Sequence, residues 1–246
     1  MRLTTYAFLL AGVICVQLPG LASGQASSTC LDGRACSILE DFERFTDGGL
    51  PTGWYTYQDR KDVQPVTGLL QTDLERFTVM QEGGNKFVRA TVRDNAHRII
   101  LRGGDGMDWD VSEQPVLSWR WRAHELPVGA REDRSKLNDT GAAVYVLFDQ
   151  DWLGRPRGIK YSYSSTMPAG YTDSYGALKL LVVSSWGEDG LGHWIQHQRN
   201  VREDFERLFG RQPPDKPTAV FLWSDSDSVD GVAVVDFDDL QVSRRP

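Results

Sequence analysis

Hydrophobic and polar positions alternate along much of this chain. Val116 to Arg122, V-L-S-W-R-W-R, sets Leu117, Trp119 and Trp121 on one face of an extended segment and Ser118, Arg120 and Arg122 on the other. Lys86 to Val92 alternates in the same way, His97 to Leu101 forms the next run, and Arg93 to Ala96 between them reads as a hairpin turn. Ile159, Tyr161 and Tyr163 alternate with Lys160 and Ser162, while Ala142 to Phe148 is apolar on both faces and predicts a central strand. Leu178 to Ser184 is a further buried run, and His193 to Gln198 a further strand. Near the end, Ala219 to Trp223 and Val232 to Leu240 flank Asp225, Asp227, Asp230 and Gly231, which predicts a strand, an acidic turn and a closing hairpin strand.

One segment has helical spacing instead. In Asn200 to Gly210, Asn200 is placed to cap the N-terminus with Glu203 answering as in a capping box, Val201, Phe205, Leu208 and Phe209 form an apolar stripe, and Gly210 ends the run. Ile38 to Phe45 is an edge strand or a helical turn, ended by Gly48, Gly49, Pro51 and Gly53. The strands recur without a repeated motif, which argues for one sandwich over an array. The pattern predicts an all-β, jelly-roll-like β-sandwich with one packed α-helix near the C-terminus, its first strand beside its last, as a single domain over residues 29–246.

Composition changes this picture in three ways. Eight Trp, eight Tyr and ten Phe in 246 residues supply a large core, since each ring buries about 150–250 Å². The net charge of −7, or −8 once the leader's Arg2 is gone, and the lack of a Lys/Arg stripe argue against a nucleic-acid partner. Met1 to about Ser28, with Arg2, the apolar Tyr6 to Leu18 and a small-residue end, has the form of a secretory signal peptide. The mature chain is thus expected outside the cytoplasm, periplasmic or extracellular, with no transmembrane segment, and Cys30 and Cys36 are expected to close a short disulfide loop there.

The chain resembles a bacterial exported family catalogued as domain of unknown function 3047. The likeness rests on L-S-W-R-W-R at Leu117 to Arg122, E-L-P-V-G-A-R-E-D-R at Glu125 to Arg134, G-A-A-V-Y-V-L-F at Gly141 to Phe148 and L-K-L-L-V-V-S-S at Leu178 to Ser185. It continues through R-N-V-R-E-D-F-E-R-L-F-G-R-Q-P-P at Arg199 to Pro214 and the S-D-S-D-S turn, and covers about Leu39 to Val242. Where the family pattern usually reads D-T-D-N-T, this chain keeps both acids, Asp225 and Asp227, and loses the amide. The resemblance implies a single all-β domain in the cell envelope and assigns no reaction.

Several residue sets are candidates for chemistry. Asp225 and Asp227, about 6.6 Å apart along one strand face, are candidate catalytic carboxylates of a polysaccharide hydrolase or lyase, with Arg120 or Arg134 stabilising charge. Glu40, Asp41, Asp236 and Asp238 meet if first and last strands are neighbours, a candidate structural calcium site. Asp105, Asp108 and Asp110 form a solvated loop, and His193 and His197 lack the acid of a zinc-protease helix and read as surface residues. Arg120, Arg122, Arg134, Tyr145, Tyr161, Tyr163 and Trp223 are candidate ligand-binding residues, since sugar rings stack on aromatic faces and guanidinium forks suit the carboxylates of acidic glycans. The reading is an exported carbohydrate-binding or envelope-associated binding module with a glycan or other envelope ligand, the alternatives being the hydrolase or lyase and a structural envelope protein.

Overall fold

The computed structural model describes the backbone of residues 28–29 and residues 35–57 and 62–244 in full. The predicted leader and Cys30 lie outside the described residues. In chain order the first strands are β1 (Ser28–Thr29), β2 (Ala35–Glu40), β3 (Tyr55–Tyr57), β4 (Val63–Pro65), β5 (Glu75–Glu82) and β6 (Asn85–Arg93). Then follow β7 (Ala96–Gly103), β8 (Gly106–Met107), β9 (Val116–Glu125), β10 (Ala142–Gln150) and β11 (Pro156–Ser164). The last are β12 (Thr172–Tyr175), β13 (Leu178–Ser185), β14 (Ile195–Asn200), β15 (Ala219–Asp225) and β16 (Val232–Ser243). Among the described residues two α-helices interrupt them, the single turn α1 (Trp186–Asp189) and α2 (Val201–Phe209), besides a 3-10 turn at Gly68–Leu70.

The strands form two sheets facing each other across one core. A seven-stranded sheet runs β1-β2-β16-β6-β5, with β9 also paired to β16 and β14 to β9. A nine-stranded sheet runs β12-β13-β11-β10-β15-β7-β3-β4, with β8 beside β7. The chain passes back and forth between them, as in a jelly roll. β2, which holds the Ile38 to Glu40 segment expected as the opening strand, pairs with the last strand β16, and β10 is central, flanked by β11 and β15.

Alternation decides what faces inward. Trp119 and Trp121 of β9 are fully buried and meet Tyr161 and Tyr163 of β11 at ring separations of 5.4 and 5.6 Å. Phe237, Val144, Ile99 and Leu222 fill the same layer. Helix α2 closes one end. Asn200 Oδ1 accepts a hydrogen bond from the Glu203 amide at 3.1 Å, Gly210 ends the helix in the left-handed conformation, and Phe205 packs edge-on against Phe148 at 5.0 Å.

Both expected hairpins are instead crossings between sheets. β6 lies in the seven-stranded sheet and β7 in the nine-stranded one, and β15 and β16 divide in the same way. A short turn at the sandwich edge has the same sequence signature as a hairpin turn, but here it carries the chain over the core. The two crossings brace each other, with the Asp94 amide donating to Gly231 O (3.0 Å) and the Ser226 amide donating to Asn95 O (2.8 Å).

Candidate functional site

The outer face of the seven-stranded sheet is closed by its own charges. Arg120 and Arg122 do point away from the tryptophan core, but both are engaged by carboxylates. Asp236 is fully buried and accepts from Arg89 Nε (2.6 Å) and Arg122 Nε (2.9 Å), with His124 Nε2 2.8 Å away. Arg120 binds Asp238 (2.6 Å) and Asp239 (2.7 Å), and Asn85 donates to Asp238 at 2.9 Å. The Trp194 ring lies under both guanidiniums, 4.6 Å from Arg120 and 4.7 Å from Arg122. Burial pushes the Asp238 carboxyl up to about 7.

The same contacts dismantle the expected calcium cluster. Glu40 pairs in register with Leu240 of the core and is taken up by Trp54 Nε1 (2.9 Å), Arg44 (2.7 Å) and the Phe42 amide (2.9 Å). Asp41 accepts from the Glu43 amide (3.2 Å) on the partly exposed side of that turn. Asp236 and Asp238 lie on the opposite face of β16, already neutralised by arginine. Among the described residues no group of three or more His, Cys, Asp or Glu could hold a metal ion.

Asp225 and Asp227 part company as well. Asp225 is buried at the end of β15, where its carboxylate accepts from the Thr140 amide and burial pushes it up to about 6 against the opposing charge of Lys160. Asp227 is exposed on the crossing turn. That turn is held by Asp139, whose carboxylate accepts from the Ser228 (3.0 Å) and Val229 (2.9 Å) amides. Arg134 is exposed in the 127–140 loop beside Asp133 (3.8 Å), and Arg120 is on the other sheet, so the four groups do not converge.

Of the candidate ligand-binding aromatics, Tyr161 and Tyr163 belong to the core, their hydroxyls donating to Asp204 and to Gly190 O. Burial holds both phenols above their ordinary range. His197 also turns inward, between Trp119 and Trp121 and 2.7 Å from Ser184 Oγ, and burial lowers its pKa to about 4. Tyr145 and Trp223 are different. They sit on the outer face of the nine-stranded sheet, their rings 5.5 Å apart.

Around them lies a cleft. Two depressions of about 280 and 380 Å³ share Tyr57, Leu147, Pro156 and Phe221. The smaller adds Tyr145, Trp223, Arg98, Arg155, Tyr175 and Leu178; the larger adds Ile100, Arg102, Val63 and Asp149. Strand parity builds this surface, because Ile100, Tyr145 and Phe221 are in register across β7, β10 and β15. The 127–140 loop is tied to the lining residue Tyr175, whose hydroxyl donates to Glu132 O, while the Glu132 carboxylate accepts from Ser162 Oγ (3.0 Å) and Ser164 Oγ (2.6 Å). Beneath that loop Lys160 is buried and donates to Thr140 Oγ1 at 2.7 Å. Tyr57, Arg98, Tyr175 and Phe221 were not among the residues expected from sequence; the available signal was the pair of strands apolar on both faces.

Fold and cleft together define a two-layer β-sandwich protein with an aromatic-lined depression on the outer face of one sheet. A family model described as "Protein of unknown function (DUF3047)" matches residues 64–241, and the chain belongs to that family. Comparison with curated proteins gave no match. Among solved structures, the chain is similar to the family 30 carbohydrate-binding module of cellulosomal cellulase CEL9D-CEL44B of Clostridium thermocellum (14% identity, 82% of this chain and 95% of that one, TM-score 0.43). It is also similar to CBM27-1 of Caldicellulosiruptor saccharolyticus in complex with mannohexaose (14%, 85% and 96%, 0.42). Among the described residues no helix is long and apolar enough to cross a membrane.

Proposed function

We propose that the protein is an exported glycan-binding module whose ligand lies along the outer-face cleft of the nine-stranded sheet. The observation that carries this reading is a contiguous aromatic cluster on the outer face of a sheet whose other face is the core, with Tyr57 and Trp223 partly exposed over the buried rings of Tyr145 and Phe221. Partly exposed rings along a groove suit the apolar faces of sugar rings, and Tyr57 and Trp223 are the natural platforms. The carboxylate-pair alternative draws no support from Asp225 and Asp227, one buried and one exposed on a turn. Export rests on the leader-like N-terminus and carries with it the Cys30–Cys36 disulfide; N-terminal sequencing and thiol counting on the secreted protein test both.

Binding to a panel of soluble polysaccharides, followed by titration calorimetry, tests the assignment. Trp223→Ala removes a central ring and is expected to cost about 2 kcal/mol, roughly 30-fold in affinity. Tyr57→Ala, at the rim, serves as the variant least able to disturb folding, with a melting curve as control. Unchanged affinity in both folded variants, or no polysaccharide bound by the wild type, refutes the assignment.

A further inference from the structure

Arginines in this protein are generally paired. Arg44, Arg89, Arg120, Arg122, Arg155, Arg157 and Arg199 each have a carboxylate within 3.0 Å. Two cleft residues break the pattern. Arg98 and Arg102 project from β7 with the parity of Ile100, and among the described residues neither has a carboxylate within 4.0 Å. Arg98 is partly buried, its guanidinium 4.5 Å from the Tyr57 ring centre and 4.2 Å from that of Trp223. Burial lowers its pKa; Asp225 and Glu75 favour its charge from a distance without pairing to it. Arg102 is exposed above the Tyr55 ring at 4.9 Å. Among the described residues, the one acid lining the cleft, Asp149, is engaged by Arg157 (2.9 Å) and Arg211 (3.6 Å).

In a chain with 34 acids against 27 lysines and arginines, two such guanidiniums in an aromatic groove stand out. A charge taken partly out of water is costly unless something pairs with it. Clamped between two rings, the Arg98 plane is pre-oriented, and among the described residues no carboxylate pairs with its N–H edge, which suits the forked contact that fits a carboxylate. Four residues along a strand place the two guanidinium stems about 13 Å apart, so both can engage one extended chain.

We infer that the ligand is an anionic glycan, a chain bearing uronic-acid carboxylates read by Arg98 and Arg102. This rests on the glycan-binding reading and names its sugar class. The neighbouring rings supply contact with the sugar faces, and the arginines supply the preference for charge.

The test compares polygalacturonate and alginate with their carboxyl-reduced counterparts and with neutral β-glucans, using the mature chain at low and moderate salt. The wild type is expected to bind the uronates at least about tenfold more tightly than the reduced polymers, with affinity falling as salt rises. Arg98→Gln and Arg102→Gln are expected to lose most of that preference, read as the ratio of uronate to reduced-polymer affinity within each variant. Arg98→Lys, which keeps the charge but not the fork, is expected to retain the salt dependence with reduced affinity. Equal binding of charged and reduced polymers by the wild type, or an unchanged preference in Arg98→Gln, overturns the anionic assignment and leaves glycan binding standing. Binding to none of the polymers overturns both.

Discussion

Asp236 offers the sharpest test of how this sandwich is held. Its carboxylate is fully buried and holds Arg89 and Arg122, whose side chains are 28% and 11% exposed, with His124 completing the cluster. Asp236→Ala leaves two half-buried guanidiniums facing each other across the sheet. Removing one partner from a buried charge cluster costs about 3–5 kcal/mol. Arg122 keeps a contact to Glu82 at 2.8 Å, which points to the lower end, about 3 kcal/mol. For a domain of this size each kcal/mol moves the melting temperature by about 2–4 °C, so the expected loss is roughly 6–12 °C. Denaturant unfolding supplies the free energy, with an unchanged slope showing that the native state is intact. A loss under about 1 kcal/mol refutes the clasp. The experiment has a cation arm: since arginine already neutralises Asp236 and Asp238, chelation should leave the wild-type melting temperature unmoved, and a calcium-dependent shift would return these acids to a metal-binding role.

Two further outcomes follow from buried groups. Asp238 has its folded pKa raised to about 7, so between its ordinary value and 7 the folded state binds the extra proton and stability falls as pH rises. His97 and His197, lowered to about 4 by burial, act in the opposite sense, adding stability as pH rises towards 6.5. The signature is therefore the difference between proteins: relative to wild type, Asp238→Asn should lose the downward component between about pH 4 and 7, and parallel pH profiles would contradict the shift. Gly158→Ala places a Cβ 2.1 Å from Val146 O and 2.9 Å from Leu147 Cα, backbone that cannot rotate away. It should destabilise by about 1–3 kcal/mol or more, or prevent folding, and a melting curve matching wild type would show that β10 and β11 can separate without cost.

What could be read from sequence was whatever depends on local alternation. Trp119 and Trp121 on one face with Arg120 and Arg122 on the other required only the two-residue repeat, and the capping of α2 only the spacing of Asn200, Glu203 and Gly210. What could not be read was whatever depends on a partner far along the chain. A turn such as Asp94–Asn95 looks the same whether it returns the strand to its own sheet or carries it across the core, and only the pairing of β6 with β16 and of β7 with β15 distinguishes these. Lys160 was legible as opposite Tyr161, but its burial comes from a loop some twenty residues upstream that folds Thr140 and Glu132 over it. The acids of β16 looked like metal ligands because their arginine partners lie on other strands.

The cleft itself had a local signal of a less direct kind. In an antiparallel sheet packed on one side, the other side meets water, and its strands should alternate apolar with polar. β10 and β15 do not: Val144, Val146, Val220 and Leu222 fill the core, yet Ala143, Tyr145, Leu147, Phe221 and Trp223 between them are apolar too. A two-layer sandwich has no third layer to cover that second face, so strands apolar on both sides mark either a covering segment or a surface kept for a ligand. β9 and β16 on the opposite sheet show the contrast. Their outer positions carry Arg120, Arg122, Asp236 and Asp238, and these satisfy one another. One outer face is thus closed by its own ion pairs, while the other carries the partly exposed Tyr57 and Trp223 with Arg98 and Arg102, which have no carboxylate within 4.0 Å among the described residues, and the proposed binding role of the nine-stranded sheet rests on that asymmetry.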